Sequence, residues 1–128
     1  MRWFWKRTRS PKVKTDFGVF RFDETGWISI PVGKGIVFQI CDEEFDVGLV
    51  DRVGSVMEQI DAFTRKAVNY ATAHGYAELQ RELILEAIDI TELLKDKWGM
   101  TFGINSKPDF TVSVEFSAGE PCEVWGAD

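Results

Sequence analysis

The chain has 128 residues, 15 of them basic and 21 acidic, and a formal charge of −6 with its single His neutral. Apolar content of 45% and charged content of 28% fit one folded domain and exclude a collagen-like, low-complexity or disordered chain. No apolar run approaches the ~20 residues of a membrane-spanning helix, and two cysteines are too few to staple a domain able to bury its own core. Cys41 and Cys122 are therefore expected as free thiols.

The charge is unevenly placed. Residues 1–14 hold six basic side chains and no acid, which leaves nine basic against 21 acidic groups, or −12, on the remaining 114 residues. The opening Arg2-Trp3-Phe4-Trp5-Lys6-Arg7 has an apolar stretch of three residues, against roughly 7–15 in a secretory signal, so a cytoplasmic, bacterial-style protein is expected. We read residues 1–15 as a basic aromatic arm and 16–128 as a single α+β domain, with Pro11 marking where the arm ends. Arg2, Trp3, Trp5, Lys6, Arg7 and Arg9 admit two readings. They can meet an anionic membrane surface or nucleic acid, or fold back over the acidic body.

From Phe17 the pattern is extended. Phe17, Val19, Phe20 and Phe22 run to a turn at Asp23-Glu24-Thr25-Gly26, then Trp27, Ile28 and Ile30 resume. Pro31 and Gly33-Lys34-Gly35 break that run, and Ile36, Val37, Phe38 and Ile40 form a third strand of an antiparallel meander. The acidic run Asp42-Glu43-Glu44-Phe45-Asp46 ends it. From Asp51, a plausible N-cap, the period changes to 3.6. Val53, Val56, Met57, Ile60, Phe63, Ala67, Tyr70 and Ala71 make one apolar stripe, predicting a long amphipathic helix up to His74, with Gly75 just beyond it.

Residues 79–94 fit two patterns. Leu79, Leu83, Ala87, Ile90 and Leu94 keep helical spacing, while Ile84, Glu86, Ile88 and Ile90 alternate as in a strand. Met100, Phe102 and Ile104 alternate as well, and after Asn105-Ser106-Lys107-Pro108-Asp109 so do Phe110, Val112, Val114 and Phe116. This is a half-buried hairpin with one wet face. A turn at Ala118-Gly119-Glu120-Pro121 leads to a last strand, Cys122-Glu123-Val124-Trp125. The expected fold is one antiparallel sheet packed against the long helix.

Catalytic signatures are sparse. Any Ser-His or Cys-His site must use His74, which sits at the helix end, where the last carbonyls favour it as a cap. One His and two distant Cys lack zinc spacing. Asp42, Glu44 and Asp46 match the first three ligand positions of a calcium loop, but the required Gly is Val47 and the bidentate Glu is Val53. Gly33-Lys34-Gly35 lacks the Ser or Thr of a phosphate loop. Glu86 and Asp89 are paired carboxylates that need a pocket to act, and Trp27, Trp98 or Trp125 would be a binding hot spot if exposed. No catalytic residue, metal or cofactor is assigned, and no enzyme activity is expected.

Asp16-Phe17-Gly18-Val19-Phe20, Trp27 ten residues beyond Phe17, and a meander ahead of an amphipathic helix resemble a family of small bacterial domains of unknown function. Some of these are similar to immunity-type proteins that neutralise toxins. The family's next strand resembles Leu83-Ile84-Leu85-Glu86-Ala87-Ile88-Asp89-Ile90, its hairpin Thr111-Val112-Ser113-Val114-Glu115-Phe116, and its terminal strand ends in Gly, here Gly126. The resemblance implies a strand over residues 84–90. Where the family often carries Gly-His before the last hairpin strand, this chain has Asp109-Phe110, so any role of that His is missing here.

Three functions stand side by side. A non-enzymatic, immunity-like module would mask a basic protein partner, whose approach the −12 body would steer. Its contact surface would be Asp42, Glu43, Glu44 and Asp46 with Phe45 as anchor, unless the run merely caps the sheet with Phe45 tucked into the core. Alternatively, the arm would bind a membrane surface or nucleic acid, or the carboxylates would serve an unrecognised enzyme site.

Overall fold

A computed structural model describes residues 12–15, 18–23, 26–29, 35–42 and 44–128. The order is β1 (Lys12–Thr15), β2 (Gly18–Asp23), β3 (Gly26–Ser29), β4 (Val37–Ile40), α1 (Val47–Glu58), α2 (Ile60–Ala73), β5 (Leu83–Asp89), β6 (Lys97–Ile104), β7 (Lys107–Ser117) and β8 (Glu120–Ala127). Short 3₁₀ turns at Ala77–Leu79 and Leu93–Lys95 flank β5. Among the described residues no helix is long and apolar enough to cross a membrane.

The fold is α+β. Among the described residues eight strands form one sheet in sequence order, antiparallel throughout except where β4 and β5 run parallel. Parallel neighbours need a long crossover, and the two helices supply it. The mixed sheet corrects the purely antiparallel expectation: the helical segment sits between two strands that lie side by side, and this reverses the direction of return.

Strand alternation puts the core on one face. Phe20, Phe38, Phe102, Phe116, Ile40, Ile88, Met100, Val112 and Val114 are fully buried there. The predicted stripe closes over them through Val53, Val56, Ala67 and Ala71, all buried. Ala67 and Ala71 keep α2 close to the sheet, and Phe63 sets its ring edge-on to Trp98 at 4.9 Å and to Phe116 at 5.5 Å.

The single long helix is in fact two, separated at Gln59, whose backbone leaves the helical region (φ −117°, ψ 20°). The stripe survives the break. The helix also begins earlier than Asp51. Asp46 is the true N-cap, its carboxylate accepting from the Gly48 N–H at 2.8 Å, and the added turn buries Leu49 and Val50. The other end is as read. Gly75 has φ +110°, and His74 sets Nδ1 2.8 Å from the Tyr70 carbonyl, its ring stacked on Tyr70 at 4.0 Å.

Residues 83–89 are strand, as the resemblance implied. Two boundaries move: β7 starts at Lys107, leaving Asn105-Ser106 as the turn, and β8 runs from Glu120 to Ala127 beyond an Ala118-Gly119 turn with both φ positive. Lys12–Thr15, the last residues assigned to the arm, pair with β2 as the edge strand β1. Cys41 and Cys122 are both free and exposed, as expected.

Candidate functional site

One face of the sheet takes the helices, and among the described residues nothing covers the opposite face, called the open face below. Its residues are fixed by register. Lys12, Arg21, Ile28, Gln39, Asp89, Gly99, Glu115 and Glu123 stand opposite one another strand by strand, a single row across the sheet. Partners in register share a face, so this row has a charge direction. It starts basic at β1 and β2 and ends acidic at β5, β7 and β8.

The acidic end is concave. Gly99, Thr101 and Gly103 of β6 make a low floor, with Gly99 opposite Asp89 and Glu115. Around Gly99 and Thr101 lies a groove of about 370 Å³, with Asp89, Thr91 and Glu92 on one side and Glu115 and Trp125 on the other. The Thr101 and Ser113 hydroxyls meet at 3.3 Å across its floor. Lys97 is the one cation among the groove's residues.

Two of the carboxylates are constrained differently. Asp89 is oriented: Oδ1 accepts from the Thr91 N–H at 2.9 Å and from the Thr91 hydroxyl, whose oxygen in turn accepts from the Cys41 N–H at 2.7 Å. The Cys41 thiol donates to Asp89 Oδ2 at 3.7 Å. Burial, then the Asp89 charge, pushes that thiol above its ordinary range, so it remains protonated at neutral pH and is a poor nucleophile. Glu115 is held above the usual carboxylate range by burial first and then by Glu123, Asp89 and Glu92, with Lys97 pulling the other way. Burial and negative charge crowded against negative charge both disfavour its ionised form. A cation entering the groove would relieve the crowding.

Glu86 joins this face through a bulge. The β5–β6 register slips between Leu85 and Ala87, and a Cβ at Gly103 would lie 2.5 Å from the Glu86 carboxyl. Among the described residues no three His, Cys, Asp or Glu side chains converge as metal ligands would. The acids are strung along a row, an arrangement suited to an extended cationic surface.

None of the described residues of the acidic run 42–46 lines the groove. Asp42 and Glu44 are exposed, with Asp42 Oδ1 accepting from the Glu44 N–H at 3.3 Å, and Asp46 caps α1. Phe45 is half-buried, edge-on to Phe20 at 5.2 Å and to Trp27 at 5.1 Å, so its ring is part of the core packing. Glu43 and the arm residues Arg2, Trp3, Trp5, Lys6, Arg7 and Arg9 lie outside the described residues. Of the three tryptophans singled out, Trp27 and Trp98 are buried and Trp125 is 44% exposed at the groove.

Sequence reasoning noted a wet face on the last hairpin but did not group Asp89, Glu92, Glu115 and Glu123. They are up to 34 residues apart, and only the strand order brings them together. The alternation of Thr111, Ser113 and Glu115 was the available signal. No family model, curated protein or solved structure matches the chain.

Proposed function

We propose that the protein is a non-enzymatic binding module that masks a basic protein partner, in the manner of immunity-type proteins that cover a toxin, and that it does so with the acidic half of its open sheet face. One observation carries the reading: Asp89, Glu115 and Glu123 stand in a single cross-sheet row beside the exposed Trp125. Like charges held this close on a rigid sheet cost folding energy, which a partner rich in Lys and Arg returns as binding. Trp125 offers an aromatic face to a guanidinium or ammonium group. Exposed acids outside the groove, Asp42 and Glu44 among them, add to the field that speeds encounter without anchoring the complex.

The test is calorimetric titration of the full chain with oligolysine at low salt. The Asp89→Asn/Glu115→Gln/Glu123→Gln variant should bind about tenfold more weakly or worse, and wild-type binding should weaken as salt rises. Unchanged affinity in that variant would remove the open face from the reading. Neutralising Asp42, Glu43 and Glu44 instead should mainly slow association.

A further inference from the structure

We propose that the basic partner docks as an added strand, pairing its backbone with the outer edge of β8 and setting alternate basic side chains over the open face. This rests on the binding reading above and specifies its geometry. A sheet has two edges, and each is a row of backbone groups able to template another strand unless blunted by shortness, lysine or proline. The β1 edge is blunted, being four residues long with Lys12 and Lys14 among them. The β8 edge is not. It has eight residues and no Lys or Arg, and its one proline, Pro121, and its bulge at Cys122 both stand near its start, so Glu123 to Ala127 carry no such guard.

The edge is also held rigid. Seven register pairs join β8 to β7, the Tyr70 hydroxyl donates to the Cys122 carbonyl at 2.9 Å, and Lys66 pairs with Glu120 at 2.8 Å. Among the described residues no strand lies beyond β8. A preformed template of this kind spares an incoming peptide the cost of ordering its partner.

Charge selects the occupant. Glu120 and Glu123 lie on β8, Asp128 follows it, and Glu115 stands beside Glu123. A second copy pairing edge to edge would set acid against acid, whereas cross-strand pairs of opposite sign stabilise a sheet. In an added strand, residues at alternate positions fall on the open face beside Glu123 and Trp125, and Lys or Arg there meets both. The intervening positions fall on the face of Val124, which packs against the core, and suit apolar side chains.

The experiment is hydrogen exchange on the full chain, with a synthetic peptide alternating Lys and Val and a control of equal charge alternating Lys and Pro, which cannot donate to a ladder. With the Lys-Val peptide, alternate amides of Glu123 to Ala127 should exchange about tenfold more slowly or better, and with the Lys-Pro peptide they should not. Val124 and Ala127 direct their N–H groups to opposite sides of β8. Of Val124→Pro and Ala127→Pro, the variant that keeps its wild-type melting point has lost only an outward N–H, and it should lose the Lys-Val protection. If both peptides bind yet β8 gains no protection, strand addition is overturned while capture by the acidic face stands. If neither binds, both fall. Retained protection in the fold-competent proline variant, or amides already protected in the free chain, also overturns strand addition.

Discussion

A methyl group added at Gly26 would run into the Ile40 carbonyl, against backbone that cannot move without parting β3 from β4. Gly26→Ala should therefore destabilise the fold by about 1–3 kcal/mol, as overpacking does, read as a lower urea midpoint. At Gly103 the clash would be with the Glu86 carboxyl, the far end of a flexible side chain, and Gly103→Ala should cost much less. Glu115 makes a pH-dependent prediction. Burial and its acidic neighbours raise its folded-state pKa, so the folded protein binds that proton more tightly than the unfolded chain. Stability from this group is present below the ordinary carboxylate pKa and is lost as pH rises through the folded value. Glu115→Gln should thus raise the melting temperature at neutral pH, with the difference closing in acid. A constant or reversed difference would contradict it. The sequence showed Glu115 as a wet-face residue. It did not show the carboxylates near it, because Asp89, Glu92 and Glu123 all come from outside the hairpin.

At the scale of elements, the periodic segments were the legible ones. The stripe from Val53 to Ala71 fixed which helical residues are buried, but not the break at Gln59, since a stripe continues across a one-residue interruption. The helix start was misplaced because Asp46 and Asp51 are both competent caps, and what decides between them is the burial of Leu49 and Val50 in the first turn. Asp46→Ala should accordingly lower stability by about 1 kcal/mol, whereas Asp51→Ala, at an exposed mid-helix position, should be close to neutral. Chemical denaturation of the two variants side by side checks this. In β5 the alternation of Ile84, Glu86 and Ile88 pointed to a strand but not to its bulge. The bulge after Leu85 shifts the period, leaving Ile84 55% exposed on the open side and burying Ile88 fully. A bulge has no signal in a period-two pattern.

For the whole molecule, the decisive fact is strand order. Local patterns predicted an α+β fold with a helical layer and a sheet, and that holds. They did not reveal that β4 lies parallel to β5, which joins the meander to the C-terminal strands and makes one row of eight residues from Lys12 to Glu123. The −12 body was legible from counting, while the concentration of acids on one half of one face required the fold. Capture of a basic surface by this half-face can be read residue by residue, by backbone NMR shift mapping of the full chain during oligolysine titration. Perturbations should concentrate at Asp89, Gly99, Thr101, Ser113, Glu115, Glu123 and Trp125. Perturbations confined to the helices or to residues 42–46, with the sheet face unmoved, would contradict it.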